Sequence, residues 1–541
     1  MRHLLPALLC LCVAALSAGD APADPHAKLR YWYPLPKATT PQVVEVDVVA
    51  YGATPAGVMA AIQAARMGKR AVLVEFGIHV GGLTSSGLSA TDGGNVIGGL
   101  AMEFYKTIGK RKGFLPAAAE SGFRSMLDAA KVRLFTECRL ESVIKQGTAI
   151  NEMVMENGDR FRAKMFIDAT YEGDLLARAG VSYHVGREAN AQYGETLNGI
   201  QLAAKSHNFR LPVDPYVVPG DVASGVLPGI SNLAADAPGG FGSADKRIQA
   251  YNFRMYLAKK PDAIPFPKPP VYDARRYELL ARYLEAGAEG GTELRDFMQL
   301  HVGDSNNNGG FSTDHIGANW EWPDASYQRR EEIYQDHVNY QQGLMWFLAN
   351  DARVPGHIRT RVAAFGLDPR NFPDTGAWPH QLYIREARRM VSDYVMTEKH
   401  CRHREIAEDP VGLGEYNMDS HNTQRYIDRS RPTHVVRNEG DVQVGVPGPY
   451  PIAYRSIIPK ASECTNLLVP VCLSCTHIAY GSIRMEPVFM VLGQTAGTAA
   501  AMAIDGAVPV QNIDYANLRQ RLEQDGQLLV VPEKKKAKGR D

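Results

Sequence analysis

The sequence predicts an α/β fold: a discontinuous, doubly wound, Rossmann-like parallel sheet built from both ends of the chain, with a large α+β domain inserted between them. Three observations carry this. Val43–Tyr51, the helical stretch Ala56–Met67 and the apolar run Ala71–Glu75 form one βαβ unit, whose short loops make the strands parallel neighbours with a right-handed crossover. From 186 to 450 the chain turns irregular and rich in Asn, Pro, Trp and Tyr. The strand-like Leu467–Leu473 and the Ala/Gly-rich helix Phe489–Ile504 then restore the apolar character of the opening unit.

In chain order, Met1 to His3, the apolar Leu4–Leu16 and the small residues Ser17 to Gly19 have the order of a secretory signal, taken as 1–18. Export to the periplasm or the cell exterior is therefore expected, with no integral membrane association. Residues 19–42 carry Ala, Pro, Asp and Thr without a sustained period and read as a linker or a wrapping arm. The nucleotide domain is expected to comprise 43–185 and 451–510. Its first helix ends at Gly68, a suitable C-terminal glycine. Val132–Phe135, the hairpin-like 142–162 and Met165–Ala169 supply its further strands. Within the inserted substrate domain, 186–450, helices are predicted at Ala274–Gly287, Tyr327–Asn350 and Leu382–Met396. Residues 511–541 end in a basic tail, Lys534, Lys535, Lys536, Lys538 and Arg540, which reads as a solvated terminus.

The composition narrows the function. In 541 residues, 59 basic and 59 acidic side chains give no net charge, so no global field draws in nucleic acid, and 45% hydrophobic content excludes disorder as the main state. Cys138, Cys401, Cys464, Cys472 and Cys475 are too few and too uneven for a disulfide scaffold. Cys472 and Cys475 have redox spacing, which leaves a functional disulfide or two small core residues as readings. No metal-ligand set is apparent, and a P-loop, HExxH and GxSxG are all missing.

Between the first strand and helix lies Gly52-Ala53-Thr54-Pro55-Ala56-Gly57, a GxGxxG pattern with Thr54 at its second glycine. Gly52 permits the tight turn, Gly57 lets helix and strand approach, and free N–H groups at the helix start can hold a pyrophosphate. Glu75 closes the next strand, where a carboxylate can accept both ribose hydroxyls of an adenosine. The glycine-dense run from Gly77 to Gly87 would bring backbone against the remainder of an extended dinucleotide, which favours FAD over NAD.

From Tyr51 to Gly82 the sequence resembles glutathione-reductase-type FAD proteins. More narrowly, Gly81 to Asp92 with Gly98, Gly99 and Glu103 to Tyr105, Phe166 to Asp174, Gly186 to Glu188, Tyr383 to Arg389 and Ser482 to Pro487 resemble a bacterial family of secreted, xanthan-lyase-like FAD-dependent oxidoreductases. That resemblance implies the fold and FAD. It places Asp168 and Ala169 on the strand end passing the flavin side, with Tyr171 in place of the usual glycine after Thr170, and Gly81 and Gly82 along the cofactor. It sets Arg139 where backbone meets adenine, and points the N-terminal region of the last helix, with Gly493, Gln494 and Gly497, at the flavin. Those glycines equally suit close helix packing.

His477, Arg484 and Glu486 precede that helix. Oxidation of a C–H beside a hydroxyl needs a base for the O–H proton, which His477 could supply, while Arg484 could favour anionic flavin, bind an acidic substrate or pair with Glu486. His315 and His421 are further candidate bases. Arg385, with Arg388 or Arg389 on one face of the expected helix, offers a site cation or an interdomain ion-pair cluster. The polar loop Asp304–His315 beside Trp320 and Trp322 could hold a sugar, or be an ordinary turn followed by core tryptophans. The reading is an exported FAD-dependent oxidoreductase moving hydride between flavin and a small polar substrate, a carbohydrate-derived alcohol being the leading candidate, with an unidentified electron acceptor. Flavin-assisted elimination from a sugar and a glycan-binding protein that retains FAD are the alternatives.

Overall fold

The computed structural model describes residues 26–93, 96–202, 206–231, 239–287, 299–430 and 432–531. The expected signal and the basic tail lie outside the described residues.

The α/β architecture is as the sequence predicts, built on strands β1 (Val43–Glu45) and β2 (Val48–Tyr51), helix α1 (Pro55–Arg66), and strands β3 (Ala71–Val74), β4 (Arg133–Phe135), β5 (Leu140–Gln146), β6 (Ala149–Met155), β7 (Arg160–Arg162) and β8 (Met165–Asp168). A five-stranded parallel sheet runs in the order Leu467–Leu468, β8, β2, β3, β4. In β2 every residue is buried and in register with β3 and β8, Tyr51 facing Val74 on one side and Asp168 on the other. A continuous β-branched run suits such a strand, covered on both faces.

The run from Val43 to Tyr51 is two strands and not the single one expected. β1 pairs in parallel with β7 in a second, four-stranded sheet completed by β6 and β5. Asp47 makes the break: its carboxylate accepts the Arg70 N–H at 3.0 Å and pairs with Lys164 at 3.0 Å, pinning a turn that diverts the chain between sheets. The two layers meet through Phe135 and Phe161, edge to face at 5.0 Å.

Helix α1 and the helix Glu486–Gly506 pack backbone to backbone. A Cβ on Gly493 would stand 2.1 Å from the Ala56 carbonyl oxygen, and one on Gly497 would stand 2.3 Å from that of Ala60. Only glycine permits this approach, so both residues serve packing. By length and hydropathy Glu486–Gly506 could also span a membrane, but 89% of its apolar window is buried inside the protein, and it is a core helix.

The middle of the chain holds the 24-residue helix Tyr327–Asn350, as predicted, and the helix Glu278–Ala286 after a 3₁₀ turn. The helix expected at 382–396 is wrong. Arg388–Met390 is instead a strand paired with Tyr183–Val185, and Tyr383 donates its N–H to the Asn252 carbonyl. Three buried arginines explain the extended path: Arg385 pairs with Asp314, Arg388 with Asp174 and Arg389 with Glu188. An extended chain sends successive side chains to opposite sides, so it delivers these cations to acids in different directions, which one helical face does not.

Candidate functional site

An open cleft lies where β2 meets α1 and is lined in part by Gly52, Ala53, Thr54, Glu75, Gly82 and Arg139. Gly52 takes φ +97°, and a Cβ on Gly57 would stand 1.9 Å from the Gly52 carbonyl, so only glycine permits the tight turn and its close approach to the helix start. Thr54 caps α1: its hydroxyl donates to the Ala169 carbonyl at 2.7 Å and accepts the Gly57 N–H at 3.4 Å. Pro55 fills the first helical turn, where its missing N–H costs nothing. Glu75 accepts N–H bonds from Ala53 and, at 2.8 Å, from Gly77, and burial raises its pKa. Arg139 lies between the rings of Tyr33 and Phe76, donates to the Tyr33 carbonyl, and keeps a buried Nε with no partner in the described structure. A glycine turn at a helix start, a carboxylate at the next strand end and an orphaned guanidinium N–H in the wall fit an adenine dinucleotide.

Other predicted cofactor residues, among them Ala56, Gly81, Asp168, Ala169, Gly493, Gln494 and Gly497, do not line the cleft, and Gln494 lines a separate pocket with Gly98 and Gly99. Ala56 backs onto Gly493, and a Cβ on Gly81 would strike the Phe123 ring at 2.4 Å. Asp168 accepts from the Thr170 N–H and hydroxyl and from the Leu176 N–H, and burial raises its pKa to about 6. Gln494 accepts the Leu100 N–H at 2.7 Å. Tyr171, the departure after Thr170, crosses to the glycine loop, where its hydroxyl accepts the Leu83 N–H at 3.0 Å and donates to Glu486 at 2.9 Å. The Thr84 hydroxyl donates to the same carboxylate at 2.9 Å. Arg484 therefore has no salt bridge with Glu486.

Sequence reasoning missed the roof of the cleft. Of the segment read as a linker or arm, the described Lys28, Arg30, Tyr31 and Tyr33 line the cleft. Tyr31 stacks on Phe76 at 4.7 Å, and the Tyr31 and Trp32 N–H groups donate to one Glu331 oxygen at 2.7 and 2.9 Å. Opposite, His79 stacks on His380 at 3.6 Å and pairs with Glu120 at 3.3 Å and Asp374 at 3.2 Å. Burial opposes protonation of His79, but these carboxylates hold its pKa up at about 9. The aromatic content of 31–33 was the available signal.

Beyond Tyr171 and Glu486 lies a buried polar cluster. Asp314 binds the Nδ1 of His421 at 2.7 Å and pairs with Arg385 at 2.9 Å. His421 Nε2 has no hydrogen-bond partner among the described residues and stands 3.8 Å from Asp419 Oδ1. Arg484 donates to the Asp419 carbonyl at 3.1 Å. Tyr383 joins the two arginines, under the Arg385 guanidinium at 4.3 Å and with its hydroxyl 3.5 Å from Arg484 Nη1. Burial, then the charge of Arg385, pulls the pKa of His421 down to about 4.

His477 and His315 adjoin this cluster, but both are taken up by other partners. His477 binds Glu386 through Nδ1 at 2.8 Å and the Ser420 hydroxyl through Nε2 at 3.0 Å, so neither ring nitrogen is free. His315 binds Asp336 at 2.8 Å, approaches Arg276 at 3.0 Å and stacks on Tyr340 at 4.0 Å. The Asp304–His315 loop does not set the tryptophans over the cleft: Trp322 is fully buried, and Trp320 donates to the Thr423 carbonyl at 2.9 Å. Cys472 and Cys475 are free thiols, each turned toward backbone carbonyls and not joined in a disulfide.

Among solved structures the chain is similar to THI4 of Thermovibrio ammonificans, 20% identical over 28% of this chain and 71% of that one, with a TM-score of 0.22. It is also similar to the L-amino acid deaminase of Proteus vulgaris, 15% identical over 29% of this chain and 55% of that one, with a TM-score of 0.22. A 3-ketosteroid-Δ4-(5α)-dehydrogenase of Rhodococcus jostii matches at 15% identity over 25% of this chain and 49% of that one, with a TM-score of 0.19. The last two overlaps span only about half of those proteins. No curated protein matches the chain. A sequence model of the family described as FAD dependent oxidoreductase matches residues 47–522, from the turn before β2 to beyond the helix Glu486–Gly506, and the protein belongs to that family, with FAD as its cofactor.

Proposed function

We propose that this flavoenzyme oxidises a small polar alcohol, carbohydrate-derived alcohols being the leading class, with His421 as the base. The carrying observation is the Asp314–His421 pair: a buried imidazole bound at Nδ1 by a carboxylate, with no hydrogen bond to Nε2 among the described residues. Neutral His421 takes the hydroxyl proton at Nε2, and Asp314, held by Arg385, fixes the ring and stabilises the imidazolium that forms. Bound FAD supplies the two-electron acceptor for the hydride. Asp314 and His421 are 2% and 6% exposed, so the pair sits largely away from bulk solvent.

The signal-like segment supports export, with removal of residues up to a point between Ser17 and Ala21. Mass measurement of the exported protein checks this, and an intact Met1 would contradict it.

The test of function is anaerobic stopped-flow flavin reduction with a panel of sugars, polyols and hydroxy acids. His421→Asn is expected to slow reduction roughly 100-fold while keeping FAD bound. Unchanged reduction would reject His421, and would return attention to His477.

A further inference from the structure

Arg484 is buried, with a side chain only 3% exposed, yet its hydrogen bonding is incomplete. Nη2 has one good acceptor, the Asp419 carbonyl at 3.1 Å. The Asp419 carboxylate is 3.5 Å away, and Nη1 reaches only the Tyr383 hydroxyl, also at 3.5 Å. Nε is buried with no partner in the described structure. A guanidinium has five donors in a planar fork, and leaving several empty away from water is costly unless a ligand fills them.

The surroundings show what would fill them. Arg484 and His421 approach opposite oxygens of Asp419, at 3.5 and 3.8 Å, so both face one carboxylate that neither engages at a full hydrogen-bond distance. A cavity lined by Asp92, Gly93, Tyr105 and Tyr416 among others lies on the far side of Gly93, where a Cβ would stand 3.3 Å from Met485, the residue after Arg484. Its walls are balanced in charge, Arg111 and Lys112 against Asp92 and Glu415, so they select for neither sign. The under-bonded cation is Arg484, behind that wall.

We propose that Arg484 binds a carboxylate of the substrate, so that the alcohol oxidised beside His421 is a hydroxy acid, with a sugar acid as the carbohydrate form. This rests on the reading of His421 as the base. A planar carboxylate matches the fork of Arg484, and a bidentate pair orients the carbinol carbon as a point charge does not.

The experiment uses the FAD-loaded full-length protein and matched probes that differ only in the carboxylate: glycolate against ethylene glycol, and gluconate against sorbitol. Each is titrated anaerobically while the visible flavin spectrum is recorded. Glycolate or gluconate should give a saturable perturbation, and the neutral partners should be at least tenfold weaker. Arg484→Gln should weaken the acids by roughly tenfold to a hundredfold, and Arg484→Lys should restore part of that loss. His421→Asn should retain acid binding and lose flavin reduction, which separates failure of this inference from failure of the base assignment. No response to either acid, equal response to the neutral partners, or unchanged acid titration in Arg484→Gln accompanied by a shifted resting flavin spectrum would each overturn the proposal. In the last case Arg484 serves the flavin itself.

Discussion

His421 and Asp314 are separated by 107 residues of sequence and joined by a 2.7 Å bond between Nδ1 and Oδ2. The pairing fixes the tautomer of a buried imidazole whose other nitrogen has no hydrogen bond among the described residues. Asp314→Asn keeps the volume but loses the anion, and flavin reduction should fall at least tenfold with FAD retained. Because burial and Arg385 depress His421 to about 4, the acidic limb of kcat/KM should lie near pH 4 and not near 6.5. The base is active when neutral, so the rate should drop as pH falls through that value. An acidic limb at 6.5 would contradict the assignment.

His79 titrates in the opposite sense. Its folded pKa of about 9 lies above the ordinary 6.5, so the stability it contributes is complete below pH 6.5 and is lost as pH rises through 9. His79→Gln should destabilise the protein by on the order of 2 kcal/mol at pH 6 and by little at pH 10. Urea unfolding of both proteins at the two pH values measures the gap.

Gly493→Ala should cost about 3 kcal/mol, since its methyl group would meet the Ala56 backbone, and Gly506→Ala supplies the contrast. A Cβ at Gly506 meets nothing nearer than Val508 at 3.5 Å, so that change should be neutral or stabilising by up to about 1 kcal/mol. Equal urea midpoints for the two variants would refute the close-packing account.

Tyr31→Ala removes a ring stacked on Phe76 and set edge-on to Trp322 at 4.8 Å. FAD dissociation should quicken roughly tenfold, read as recovery of free flavin fluorescence after dilution. An unchanged rate would make the arm mere covering.

Local pattern revealed the βαβ unit, because the strand period, the glycine turn and Glu75 all fall between Val43 and Glu75. The helix Tyr327–Asn350 was equally legible from its own periodicity. What failed depended on partners far along the chain. The run from 382 to 390 reads as helical until Asp314, Asp174 and Glu188 are known to draw its arginines apart. His477 sat in the expected segment, but Glu386 and Ser420, each distant in sequence, occupy both its nitrogens. Likewise His315 drew attention through its side chain, whereas its neighbour Asp314 makes the contact with His421. No period or spacing encodes which of two adjacent residues will meet a strand a hundred residues later.

The central sheet closes only when Leu467–Leu468 joins β8, and α1 is covered only when Gly493 and Gly497 reach it. A ribosome therefore releases the nucleotide loop hundreds of residues before the surface that supports it exists. During that interval the apolar flank of α1 and the open edge of β8 invite association with other chains, so folding should be slow and should profit from a holdase. Yellow colour in a preparation consequently reports more than cofactor supply: it certifies that the helix Glu486–Gly506 has docked, and a fragment ending before Glu486 should be colourless however much FAD is added.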